Sequence, residues 1–210
     1  NPSLPVGNSD RGVGLWAGQI MVGINNSNQY IDWWHEKLDS TGLDHDGTLS
    51  AVVFTPSITI GLSDYINITY SQTIGHRYMT YENDDGIHHR DEGSNTDFDN
   101  ANGGLLGDGR VTMRLLALND GKGAGNRLFL GVGFGIPSKN TLTADPFFLD
   151  DTKKTPHRHF SMSEGAYKGI LELQYFRKRM KNPVFIGGTI TIETPLDSSQ
   201  YGFKPSTMLD

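Results

Sequence analysis

"RLFLGVGFGIP", Arg127 to Pro137, is the stretch on which the fold turns. Its even positions, Leu128, Leu130, Val132, Phe134 and Ile136, are all apolar. Its odd positions are Arg127, Phe129, Gly131, Gly133 and Gly135. Successive side chains of a β-strand point to opposite faces, so one face here is wholly apolar and the other nearly bare backbone. A half-buried strand of a soluble sheet sets apolar against polar instead, because one face meets water and the other a core.

Six further segments alternate with period two. Trp16, Ile20, Val22 and Ile24 lie opposite Gln19 and Asn25; Val52, Phe54, Ile58, Ile60 and Leu62 lie opposite Thr55, Ser57 and Thr59. Ile66, Ile68, Tyr70 and Ile74 oppose Asn67, Thr69, Ser71 and Thr73, and Val111, Met113, Leu115 and Ala117 oppose Arg110, Thr112 and Arg114. Tyr167, Leu171, Leu173 and Tyr175 oppose Lys168, Glu172 and Gln174; Val184, Ile186, Ile190 and Ile192 oppose Thr189, Thr191 and Glu193. Period two with β-branched and aromatic enrichment predicts strands. The chain is all-β, and "YIDWWHEKL" (Tyr30 to Leu38) is at most a short helical turn within a loop.

The connections alternate in length. Long polar loops run from about Asn26 to Thr48, Thr80 to Gly109 and Ser138 to Glu164; between them stand the brief turns at Ser63-Asp64, "NDGKGAGN" and "KRMKN". In an up-and-down meander every second connection lies at the same end, so all long loops share one rim. Transmembrane barrels sort their loops this way, and their lipid-facing rows must be apolar while the lumen tolerates polar groups. Glycines at 131, 133 and 135 then leave room for a bulky neighbour across the lumen or for a bend. The predicted fold is an antiparallel up-and-down transmembrane β-barrel. Pro56 cannot donate to a ladder and demands a bulge or local break in the second strand. Seven strands is an odd count for such a barrel. "GFKPS" reads as a turn and "TMLD" as the start of another strand. Residues 1–210 therefore read as one barrel domain, C-terminally truncated, with seven or eight strands visible of a larger barrel.

Composition agrees. No apolar run reaches the length of a transmembrane helix, whereas a transmembrane strand needs only about 9–11 residues, half of them polar. The net charge of -6 argues against a nucleic-acid partner, and with no cysteine there are neither disulfides nor thiolate metal sites. The opening "NPSLPVGNSD" has no basic-then-apolar leader and no initiating Met, which fits export with the leader removed.

The pieces "LGDGRVTMRLLAL", "RLFLGVGFGIPSKN", "SEGAYKGILELQYF" and "FIGGTITIETPLDSSQYGFKPS", spanning Leu106 to Ser206, resemble the phenol-degradation meta-pathway outer-membrane proteins. That family consists of proposed transporters of aromatic or other hydrophobic compounds. The likeness implies a bacterial outer-membrane barrel of about twelve strands, with further strands after the late Tyr-Gly-Pro turn, and passage of small molecules. It supplies no substrate.

The predicted lumen set is Gln19, Asn67, Thr69, Arg110, Arg114, Arg127, Lys168, Glu172, Gln174 and Glu193. In a wide barrel these line a permeation path whose charges set selectivity. In a narrow one of about eight strands, side chains fill the interior and Arg114 with Glu172 is a buried ion pair in a plug. Trp16, Tyr70, Tyr78, Tyr167 and Tyr175 suit aromatic girdles, although each is also an ordinary core residue. His35, His45, His76, His88, His89, His157 and His159 all fall at or near the long-loop rim. His88 and His89 with Asp91, Glu92, Asp97 and Asp99, and the H-x-H of His157 and His159, offer imidazole and carboxylate to a divalent metal; Asp97 and Asp99 alone would suit calcium. The plainer reading is a solvated polar cluster that needs no cofactor. There is no G-x-S-x-G and "GKGAGN" lacks a phosphate-loop Lys-Ser/Thr. Ser71 near His76 and Ser161 near His159 are the Ser–His pairs on offer, but such sites are recognised by geometry and not order, nothing in the sequence supports either pair, and no enzyme is expected.

Three functions remain: a channel or passive transporter for small, hydrophobic or aromatic solutes, with the lipid bilayer as its surroundings; a surface barrel binding a metal ion or protein through its His/Asp/Glu loops; and a soluble β-protein binding a ligand such as a sugar.

Overall fold

The computed structural model describes residues 15–35, 45–81, 105–120, 124–141, 162–179, 184–199 and 202–210. They form one antiparallel sheet of eight strands in chain order: β1 (Ile20–His35), β2 (His45–Gly61), β3 (Ile66–Tyr81), β4 (Leu106–Asn119), β5 (Gly125–Ile136), β6 (Lys168–Arg179), β7 (Val184–Pro195) and β8 (Met208–Leu209). Each strand pairs only with its sequence neighbours, so β1 and β8 are the edges of an open sheet. No helix occurs among the described residues. The eighth strand arises where "TMLD" was expected to begin one, with Met208 opposite Glu193 and Leu209 opposite Ile192.

Directly paired residues share a face, and the register lines up rows across the sheet. One row runs Ile20, Ile60, Ile68, Met113, Val132, Leu171, Ile192, Leu209, apolar on every strand. Most of these side chains, with Val22, Ile58, Phe134, Leu130, Leu173 and Ile190 in adjacent rows, are exposed. The row one residue along from it, on the other face, is Gly61, Asn67, Arg114, Gly131, Glu172, Thr191. Here Asn67, Thr69, Thr59, Thr112, Arg114, Gln174 and Thr191 are buried. The sheet is inverted relative to a water-soluble one: apolar outside, polar inside. Among the described residues a small apolar cluster, Phe129 with Phe176 and Leu116, sits on the inner face near the β4–β5 turn, and Ile170 and Ala51 are buried on the same face. Gly187 faces Phe176 and leaves the ring its space.

The strands lengthen beyond their predicted limits, by two residues at the end of β3 and four at the start of β4 (80–81 and 106–109, expected as loop), and most at the β1–β2 corner. Residues 26–35 and 45–48, expected as loop, belong to β1 and β2 with unbroken register from Ile20↔Ile60 to His35↔His45. The helical turn expected at Tyr30 is therefore corrected to strand as far as His35, while Glu36 to Leu38 lie outside the described residues. The reason is physical. From Asn25 to Ile31 both faces of β1 are exposed, so no burial imposes period two, yet the ladder to β2 continues and Tyr30, Ile31 and Trp34 favour an extended backbone.

Pro56 pairs with Ile24 without a register shift. On the β3 side the ladder omits Thr55 and Pro56, then resumes in the same register at Ser57↔Ser71, so the expected disturbance is a local break and not a bulge. The bulges lie elsewhere, at Gln72–Ile74 against β4 and at Leu116–Leu118 against β5. Loop sorting holds on these bounds. The strand ends that flank 36–44, 82–105, 137–167 and 196–207 lie at one end of the sheet, and those that flank 62–65, 120–124 and 180–183 at the other.

Two short turns carry their own locks. Ser63 Oγ accepts from Tyr65 N and Ile66 N at 3.2 and 3.0 Å. Asp120 Oδ2 accepts from Asn126 N at 2.8 Å and Asn126 Nδ2 at 2.7 Å; these bonds, the backbone one first, hold its carboxyl below the usual carboxylate range.

Candidate functional site

The opening glycines acquire a purpose at Gly131. In register it stands between Arg114 of β4 and Glu172 of β6. A Cβ there would lie 2.9 Å from Glu172 Cβ and 3.5 Å from Arg114 Cγ. With no side chain on β5, Arg114 and Glu172 reach over that strand and join. Arg114 Nε donates to Glu172 Oε1 and Nη2 donates to Oε2 at 3.0 Å, a two-pronged pair with both side chains buried, 3% and 7% exposed. Such a fork is the strongest ordinary form of ion pair.

The pair anchors a chain of hydrogen bonds. Arg114 Nη1 donates to Thr69 Oγ1 at 2.8 Å, and Thr69 shares a 2.8 Å bond with Thr59. Gln174, fully buried, donates from Nε2 to Glu172 Oε1 at 2.8 Å. Five residues from β2, β3, β4 and β6 are thus tied across the inner face, with β5 passing beneath at its glycine. Breaking one side of such a pair leaves an uncompensated buried charge, at a cost of about 3–5 kcal/mol.

Two more ion pairs follow the same column. Arg110 joins Glu193, reaching over β5 and β6; three strand spacings amount to about 14 Å, so the sheet must curl toward this face for them to meet. Lys168 Nζ lies 2.6 Å from Glu164 Oε2. Gly135, opposite both Arg110 and Lys168, and Gly133, opposite Thr112, keep this wall clear. The inner face is therefore lined by hydroxyls, amides and neutralised charge.

Both ends of the network are covered. At the short-turn end lies the Phe129–Phe176–Leu116 cluster. At the other, Met162 N and Ser163 N donate to the carbonyl of the buried Asn140 at 3.2 and 3.0 Å. This holds residues 162–166 over the inner face, with Met162 against Gly75 of β3 and Gly107 of β4. Ser163 and Ala166 are buried with it.

Of the predicted lumen set, the structure brings Thr69, Arg114, Glu172 and Gln174 into one network and places Asn67 beside Arg114 in the register. Arg110, Glu193 and Lys168 stand on the same face in separate ion pairs. Arg127, half-buried, lies two rows away opposite Asn119 and Phe176, and Gln19 is exposed, accepting from Trp16 N. Thr59 and Asn140 were not singled out. Thr59 carried a signal in its place on the polar phase of β2; Asn140 carried only its position just after the "IPSK" strand stop.

The histidines fare differently. His88, His89, His157 and His159, with Asp91, Glu92, Asp97 and Asp99, lie outside the described residues, as do Ser161 and the side chain of Tyr78. His35 and His45 close the β1–β2 pairing opposite one another, at strand ends and not within a loop, and His76 is exposed on the outer phase of β3 opposite Val52. Among the described residues no three His, Asp or Glu side chains gather as a metal site. Compared with known proteins, the chain matches no family model, no curated protein and no solved structure, so the resemblance over Leu106 to Ser206 rests on its short motifs alone.

Proposed function

We propose that this chain forms the wall of a bacterial outer-membrane β-barrel that passes small solutes through its interior. The observation that carries this is the inversion of the sheet: an eight-strand apolar row, most of it exposed, backed by a buried polar face. In water that outer face would forfeit roughly 25 cal/mol for every Å² of apolar surface, over a patch far larger than soluble monomers leave bare. Against lipid it is the favourable arrangement. From Leu128 to Ile136 the exposed row on β5 climbs about 27 Å, and at a tilt near 40° it covers about 21 Å, close to the apolar band of known barrels. The sorting of the connections supports the same reading. Barrel closure belongs to it, because hydrocarbon leaves no strand edge unpaired.

The interior wall is polar, with Thr59, Thr69, Thr112 and Gln174 on it and its charges paired, and a solute with a polar handle would enter by exchanging hydrogen bonds with that network. The resemblance adds hydrophobic or aromatic compounds. Single-channel conductance in a planar bilayer tests the proposal: discrete steps, altered in size by Arg114 and Glu172 variants, are expected. A chain that stays out of the membrane fraction refutes it.

The filling of the interior favours a second reading, in which the barrel is silent and its work lies at the long-connection rim. His88, His89, His157 and His159 are that reading's metal ligands. It predicts an inserted, non-conducting protein whose bound zinc falls in a His157→Ala/His159→Ala variant, and unchanged metal content sinks it.

A further inference from the structure

Among the described residues the outer wall carries a notch. At the β3–β4 bulge, where Gln72 faces Gly109 and Ile74 faces Leu106, the extra residue of β4 leaves Gly109 directed at the outer face beside Gln72 and Tyr70, while Gly107 is directed at Thr73 and Met162 and shows only its backbone outward. With Tyr70, Leu106, Ile136 and Lys139 they bound a cavity of about 330 Å³. That volume is at the lower end of small-molecule sites. The notch opens on the apolar outer face, since Tyr70, Leu106 and Ile136 are all exposed there.

Its polar atoms are turned to one another. Tyr70 Oη donates to Gln72 Oε1 at 2.7 Å, and Gln72 Nε2 donates to the Gly107 carbonyl at 2.7 Å. Ser138 Oγ donates to the Leu106 carbonyl at 2.6 Å. What remains for a ligand is apolar lining with one cation, Lys139, exposed at the end where the strands give way to the long connections. A long lysine at such a boundary places its ammonium at the headgroup level while its stem lies along apolar surface.

We propose that this notch is a binding site for one acyl chain of an anionic, phosphate-bearing membrane lipid, the chain lying against Tyr70, Leu106 and Ile136 above Gly109 and the phosphate meeting Lys139. The proposal rests on the membrane reading above. Gly109 is its keystone: a Cβ there would already stand 3.2 Å from Gln72 Oε1 and 3.6 Å from Tyr70 Oη, so a larger side chain fills the space the lipid would use.

The test is photo-cross-linking of the full chain in phosphatidylcholine vesicles. These are doped either with a phosphatidylglycerol that carries a diazirine in one acyl chain or with the matching phosphatidylcholine probe. Adducts are mapped by mass spectrometry. The expected result is enrichment of the phosphatidylglycerol probe on Tyr70, Leu106 or Ile136 by about fivefold over its neutral counterpart, the preference one basic residue confers. Gly109→Leu should abolish these adducts while leaving those on Leu171 and Ile190 unchanged. Lys139→Gln should keep the adducts and erase the headgroup preference. Labelling spread along the wall in proportion to exposure, or indifferent to Gly109→Leu, overturns the site. Failure of the chain to enter the vesicles at all would instead overturn the membrane reading, so the two failures are distinguishable.

Discussion

Gly131→Ala is the sharpest probe of the inner face. The added methyl carbon would stand 2.9 Å from Glu172 Cβ, an atom bound directly to the backbone and so unable to swing aside. Strand β5 or β6 must move, or Glu172 must leave the fork with Arg114. Overpacking alone costs about 1–3 kcal/mol, and full loss of the buried fork about 3–5 kcal/mol. Replacing glycine also restricts the unfolded chain, which stabilises by about 0.4–1 kcal/mol. The net expectation is a loss of about 2–4 kcal/mol. Gly188→Ala is the matched control: it lies on β7 with nothing within 4 Å of the new carbon, so only the stabilising part applies. Both variants are refolded into lipid vesicles and unfolded in urea, followed by circular dichroism. In an Arg114→Met background the fork is already absent, and Gly131→Ala should then cost only its overpacking part. If Gly131→Ala is as stable as Gly188→Ala, the glycine does not exist to let the ion pair cross, and the account of the opening sequence fails.

Arg114→Met should destabilise by about 3–5 kcal/mol through the stranded Glu172, and adding Glu172→Leu should restore much of that; a double variant no better than the single one would deny that the charge, and not the shape, matters. Leu171→Arg, in the middle of the eight-strand apolar row, should cost about 2–4 kcal/mol in a bilayer, whereas on a solvated surface the same change would stay within about 0.5 kcal/mol. Asp120 has its carboxyl pKa depressed by Asn126, so its contribution is present above the unfolded value near pH 4 and lost as pH falls through the lower folded value. The stability gap between the parent chain and Asp120→Asn should therefore hold at pH 7 and close in acid; a gap unchanged at pH 3 would contradict the bonding seen at this turn.

What could be read from the residues was whatever one-sided burial imprints. Where a strand has one face inside and one outside, as in Leu128–Ile136 or Ile66–Tyr70, period two is strong and the phase assigns the faces correctly. Where β1 runs on past Asn25 with both faces exposed, that imprint vanishes, and a stretch such as "NNSNQYIDWWH" reads as loop although its ladder to β2 is intact. The bulges at Gln72–Ile74 and Leu116–Leu118 were illegible for a different reason: an inserted residue shifts phase locally, and no side-chain type marks it. Pro56 did mark its break, because a missing N–H is a property of the residue itself. Arg114 and Glu172 were legible as lumen candidates from phase. Their union depended on Gly131, whose position between them is a fact of register across three strands.

In the channel proposed above, the groups that hold the inner face together would also occupy the space a solute needs. Arg114 binds β3 and β6 at once, Arg110 spans to β7, and residues 162–166 lie over one end of the network while Phe129 and Phe176 close the other. An ion pair of this kind is a costly way to fill a core, since apolar residues of equal volume are often as good or better. It is a sensible way to fill an interior that must also become wet, because each charge regains water when the fork parts and the penalty of separation falls. On that argument stability and conduction oppose one another under the channel function proposed above. Arg114→Met should weaken the fold and raise channel activity together, while Arg114→Met/Glu172→Leu should recover the fold without recovering closure by charge. A variant series in which stability fell and conductance did not rise would separate the two roles and leave the pair as scaffold alone.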